Sequence, residues 1–158
     1  MFREVARKKQ ALTKDRCIEI LKAELRGVLS VLGDDGYPYG MPMNHWYNEE
    51  DGCLYFHSGK VGHKIDAMQA NDKASFCVMD SGTKAADDWA LDFNSVIVFG
   101  RLEIVEDHER AIEMTRQLSY HFTDDRAYVD REIEQSARNT LCFRLRPEHI
   151  TGKRVNEK

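Results

Sequence analysis

His57, Ser58, Lys60, His63 and Lys64 fall within eight consecutive residues, with Gly59 and Gly62 between them. Imidazole, hydroxyl and ammonium groups in such a turn can reach a single anion, and the glycines let backbone N–H groups come close to it. Leu54 to His57 before the turn reads as a short strand, and Val61 or Gly62 reads as the start of a helix. A helix N-terminus adds unpaired N–H donors and a partial positive charge. The chemistry predicted here is a grip on the phosphate of a nucleotide-like cofactor. An ordinary basic surface turn would use the same residue types, and composition alone leaves both readings open.

Other reactive groupings are weaker. His45, Cys53, His57 and His63 lie within nineteen positions, but zinc wants ligands converging on a tetrahedron and the usual short-paired spacings are missing. No metal is expected. Cys53 and His57 would share a strand face about 13 Å apart, too far for one to activate the other. There is no G-x-G-x-x-G, no G-x-x-x-x-G-K-[ST] and no G-x-S-x-G, which argues against Rossmann, P-loop and α/β-hydrolase chemistry.

The 158 residues suit one domain, with an N-terminal arm over 1–12 and a basic tail over 147–158. A formal charge of −4 disfavours broad nucleic-acid binding, so any anion site must be local. No apolar run reaches the roughly 18 residues of a membrane span, and Met1 to Lys9 lacks the apolar stretch of a secretory signal. Four scattered cysteines (Cys17, Cys53, Cys77, Cys142) fit reduced thiols and a cytoplasmic setting.

The elements that must position the turn follow in order. Thr13 and Asp15 open a helix carrying Cys17, Ile18, Leu21 and Leu25, then Val28 to Leu32 reads as a strand ending in Gly33-Asp34-Asp35-Gly36. Tyr37 to Tyr47 alternates as one strand. Pro38 and Pro42 mark it as an edge or a bulged strand, and at an edge a flat heteroaromatic or a dimer partner could meet free backbone groups. A short helix to about Asn71, a strand over Lys73 to Asp80 and a polar loop over Ser81 to Asn94 come next. Ser95 to Val105 alternates most clearly, and Ala111, Met114, Leu118 and Phe122 then form a helical stripe. Asp124 to Arg138 continues as a charged helix, and Asn139 to Arg146 closes as a strand that Pro147 is expected to stop. Five or six hairpin-joined strands with peripheral helices predict a mainly β, mostly antiparallel barrel.

Tyr39-Gly40-Met41-Pro42-Met43-Asn44, then Tyr55-Phe56-His57-Ser58, then Gly62-His63-Lys64 and Asn71, together resemble the pyridoxamine 5′-phosphate oxidase-like superfamily, and within it the nitroimidazole-resistance group. The resemblance runs from about Thr13 to Lys153. It implies a six-stranded split β-barrel that dimerises, with one FMN in each of two clefts at the subunit interface. It also implies an oxidoreductase passing electrons or hydride from reduced FMN to a small acceptor such as a nitro compound. A flavin-binding sensor or carrier, or a haem or deazaflavin variant of the same barrel, is the alternative. Carried onto this chain, Met41, Pro42, Met43 and Asn44 would meet the isoalloxazine edge. His57, Ser58, Gly62, His63 and Lys64 would hold the phosphate, and Ser95 would reach flavin from the partner. His57 is the catalytic candidate, the side chain best placed to face substrate, with His45 second, although a structural strand histidine is the more expected role for His45. The substrate-binding C-terminal extension of the longer oxidases has no counterpart in Ile150-Thr151-Gly152-Lys153-Arg154, which argues against vitamin B6 oxidation.

Overall fold

Chain continuity dictates the shape. The computed structural model describes residues 1–156. Its strands are β1 (Arg26–Leu32), β2 (Pro38–Asn44), β3 (Trp46–Asn48), β4 (Cys53–Gly59), β5 (Lys73–Met79), β6 (Phe93–Ile104) and β7 (Thr140–Val155). They form one antiparallel sheet in the order β2-β1-β5-β6-β7-β4-β3. The two edge strands, β2 and β3, are joined in the chain by His45 alone. Laid flat, seven strands would hold those edges about 29 Å apart. Neighbouring Cα atoms across a trans peptide sit about 3.8 Å apart, so the sheet must curl until its edges meet. The result is a split-barrel fold with seven strands where six were expected. The extra one arises because Tyr37 to Tyr47 is not continuous: its backbone leaves one edge at Asn44 and joins the other at Trp46.

Alternation fills the interior. Leu29, Met41, Leu54, Phe56, Phe76, Val96, Val98, Phe143 and Leu145 are buried in one cluster, with Phe56 packed edge-on to Phe76 at 5.2 Å and stacked on Phe143 at 5.3 Å. Helix α1 (Lys14–Ala23) adds Cys17, Ile20 and Leu21 to the same cluster, and the Thr13 hydroxyl caps it by accepting from the Arg16 N–H. Helix α2 (His63–Ala70) contributes Ile65, Ala67 and Met68. Helices α3 (His108–Tyr120) and α4 (Arg126–Ser136) lie outside the barrel. The expected α3 stripe packs Met114 and Leu118 on Cys53, Tyr55 and Cys142, with Ala111 and Phe122 alongside.

Tyr55 anchors that second layer. It is fully buried, and its hydroxyl donates to Asp51 Oδ2 at 2.6 Å while accepting from Arg110 of α3 at 3.2 Å and Arg144 of β7 at 3.4 Å. Tyr55→Phe should lower stability by about 1 kcal/mol, because it removes the hydroxyl of a fully buried side chain that bonds three groups, while Asp51 keeps its ion pairs with both arginines. A shift of the urea midpoint with an unchanged slope would register it.

Pro147 does not stop the last strand, contrary to expectation. The β6–β7 ladder shifts register between Phe99 and Gly100: Phe99 pairs with His149 and Gly100 with Pro147, which leaves Glu148 as an extra residue on β7. A bulge tolerates a residue without an N–H, so the strand runs on to Val155. Most of the expected tail is therefore sheet, and positions 157 and 158 lie outside the described residues. The Ser81 to Asn94 loop folds on itself through a Thr83–Asp92 bridge, and the Asp80 carboxylate accepts from the Gly82 and Asn94 backbone. Among the described residues no helix is long and apolar enough to cross a membrane.

Candidate functional site

Where the chain switches edges, a fork opens. Trp46 pairs with Tyr55 at its base. One arm is the end of β2 with Pro42, Met43 and Asn44; the other is the end of β4 with His57, Ser58 and Gly59. Lys64 from α2, and Ser136 and Thr140 where α4 gives way to β7, complete a cleft of about 580 Å³. That volume is within the range of ligand pockets.

Six of the ten predicted binding residues line this cleft: Pro42, Met43, Asn44, His57, Ser58 and Lys64. The Lys64 ammonium rests 3.8 Å from Met43 Sδ, and among the described residues no carboxylate forms an ion pair with it. The Asn44 side chain accepts from Arg26 Nε at 2.7 Å, and Ser58 Oγ donates to the Gly59 carbonyl at 2.8 Å. His57 is open to solvent. Desolvation by the surrounding protein, with the nearby Lys64 charge, still pushes its pKa below the usual 6.5. At neutral pH its ring is uncharged.

The other four lie elsewhere. Met41 points into the core. Gly62 caps α2 with φ of +124°, a conformation that favours glycine. His63 turns to the far side, stacked on Tyr39 at 4.2 Å with Nε2 3.8 Å from Asp34 Oδ2. Ser95 lines a separate groove under the N-terminal arm, with Ile97 and Phe99. His45, Cys53, His57 and His63 do not converge, and among the described residues no group of three or more His, Cys, Asp or Glu side chains is arranged for a metal.

Sequence reasoning missed Ser136, Thr140 and Cys142. Cys142 is the cross-strand neighbour of His57, and Thr140 Oγ1 donates to the Ser136 carbonyl at 2.9 Å. Only the β4–β7 register brings them to His57, across more than 75 residues of chain. The spacing of Ser136 and Thr140 at i and i+4 was the one local signal.

His45, the alternative catalytic histidine, is structural. It is fully buried, and its Nε2–H donates to the Leu21 carbonyl at 2.8 Å. Nδ1 is buried without a partner among the described residues, and Phe76 packs against the ring at 4.9 Å. Protonation would create an unpaired N–H donor in apolar surroundings. Burial accordingly pushes the pKa down to about 4 despite the opposing carbonyl bond, with His121 adding to the fall.

The same architecture recurs in solved structures. A candidate 5-nitroimidazole antibiotic resistance protein from Bacteroides thetaiotaomicron aligns with a TM-score of 0.75 at 24% identity, over 90% of this chain and 85% of its own. An FAD-binding protein from Mesorhizobium loti aligns with a TM-score of 0.67 at 25% identity, over 93% of this chain and 98% of its own. A flavocytochrome from Azotobacter vinelandii aligns with a TM-score of 0.75 at 19% identity, over 96% and 72% respectively. Among curated proteins nothing matches the chain. The family model for pyridoxamine 5′-phosphate oxidase matches residues 13–154, and the chain belongs to that family.

Proposed function

We propose that the protein is an FMN-binding oxidoreductase that passes reducing equivalents to a small acceptor such as a nitro compound. The observation that carries this reading is the Lys64 ammonium, which forms no ion pair among the described residues, facing His57 and the β2 edge backbone across one cleft. A phosphate monoester suits a lysine without an ion-pair partner beside a helix N-terminus. The residues from Pro42 to Asn44 lie at the end of an edge strand whose backbone can meet a heteroaromatic edge. The FAD-binding protein from Mesorhizobium loti that shares this architecture supports a flavin. When bound, the flavin would supply hydride or electron transfer. Lys64 holds the anion, the strand end orients the ring system, and neutral His57 acts as a hydrogen-bonding group toward the acceptor.

The outer sheet face supports a homodimer. The ladder register lines up Pro42, Val28, Cys77 and Ile97 across four strands, and Val28, Ile97, Phe99 and Met79 are exposed apolar residues. Large exposed apolar patches mark interaction surfaces. A second copy there would cover them and bring its own strands toward the cleft.

Titration with FMN, followed near ~450 nm where the bound flavin absorbs, tests the reading. Wild-type protein should take up FMN, and Lys64→Ala should weaken binding about 10–100-fold, the value of one charge-assisted contact. No uptake by wild type would overturn it. The chemically reduced holoprotein should then be reoxidised by a nitroimidazole faster than free reduced FMN is. An equal rate would favour a flavin carrier without turnover.

A further inference from the structure

Behind His57 lies a second cavity, of about 180 Å³, between the α3–α4 pair and the outer face of β4 and β7. Ala111 and Ile112 from α3, and Ile133 and Ala137 from α4 and the turn after it, form apolar walls, with Cys142 on the floor. Burial raises the Cys142 thiol to about 11, so the floor is an uncharged sulfur and not a thiolate. The polar groups lie where they can orient a guest without charging the interior. The Ser119 hydroxyl is already committed to the Thr115 carbonyl at 2.8 Å, and Glu132 and His108 are exposed on the rim. His57, Ser136 and Thr140 belong to both this cavity and the larger cleft.

Size and lining narrow the guest. An apolar cavity of about 150 Å³ accommodates benzene, so 180 Å³ is room for one ring and a small substituent. Three fused rings exceed that volume and would have to project through the cavity's open side. A carboxylate or phosphate would lose its hydration among alanine and isoleucine side chains with Glu132 at the rim.

We infer that the α3–α4 cavity is a binding site for an uncharged single-ring aromatic or heteroaromatic molecule, whose polar edge meets His57 at the junction with the cleft. Because the two sites share His57, Ser136 and Thr140, occupancy of one changes affinity at the other. That coupling rests on the flavin reading; the cavity's own guest does not.

Phenol is the probe, with benzoate and 1-naphthol as controls, followed by methyl and amide NMR shifts of the full chain without flavin. Phenol should bind saturably with Kd on the order of 1 mM or tighter, a value within reach of seven non-hydrogen atoms. The shifts should centre on Ile112, Ile133 and Thr115, and benzoate and 1-naphthol should bind at least about tenfold more weakly. Ala137→Leu should abolish phenol binding, with far-UV circular dichroism unchanged. Unsaturable shifts, or shifts confined to exposed residues, overturn the site. So does 1-naphthol binding as well as phenol, a comparison that needs only wild type. FMN uptake without phenol shifts overturns this inference and leaves the cofactor reading standing. Phenol shifts without FMN uptake support the cavity and overturn the cofactor reading. With both ligands bound, an FMN Kd that phenol leaves unchanged overturns the coupling.

Discussion

Acidification from pH 6.5 to pH 4 should cost the folded protein roughly 3 kcal/mol through His45 alone. The folded-state pKa of about 4 lies below the unfolded value near 6.5. Between those limits the unfolded chain binds a proton that the folded chain refuses, so stability rises with pH and falls on acidification. His57, also lowered, acts with the same sign. The paired carboxylates Glu103 and Glu113 are held below their usual range, mainly by hydrogen bonds from Arg146 and Gln117, and lose their contribution only at lower pH. Urea unfolding at half-unit pH steps should therefore show a fall in stability beginning near pH 6.5. His45→Gln, which keeps a donor for the Leu21 carbonyl but cannot titrate, should flatten most of it. A slope that survives in His45→Gln would assign the effect to other groups.

Gly100→Ala should destabilise the protein by about 3 kcal/mol or more. A methyl group at Gly100 would overlap the Arg146 carbonyl and lie 3.1 Å from the Pro147 Cα. Both are backbone atoms inside the β6–β7 ladder, so no side chain can swing aside. Gly59→Ala is the control: nothing lies within 4 Å of its would-be methyl, and stability should change by less than about 0.5 kcal/mol. Thermal midpoints compared on the same day would separate the two.

Local pattern made much of this fold legible. Val96, Val98 and Leu102 alternate because β6 has one buried face, and Thr13 announces α1 because an orphan N–H needs an acceptor. Pro38 and Pro42 marked an edge or a bulge, and β2 is an edge. The missed features depend on pairing. Alternation runs straight through His45, since a period of two does not record which neighbour a strand has, so the change of edge was invisible. Pro147 read as a stop because a bulge is defined by the opposite strand. In the site, Lys64, His57 and Pro42 to Asn44 were legible as a basic turn beside an edge strand. His63 was misplaced because its stacking on Tyr39 depends on tertiary approach, and the contribution of Ser136 and Thr140 depends on register.

The one-residue link at His45 also bears on the entropy of binding. One arm runs through this single residue into Trp46, which is paired with Tyr55 at the foot of the other arm, so the spacing near the base is set by one covalent link and one ladder pair. A lid-type site orders loops each time it fills, and that ordering is subtracted from affinity. Here the reference geometry already exists before any guest arrives. Affinity differences among guests should then appear mainly in how fast they leave. Loosening the hinge residue itself, far more than trimming any single contact, would turn a preorganised notch into an adaptable one.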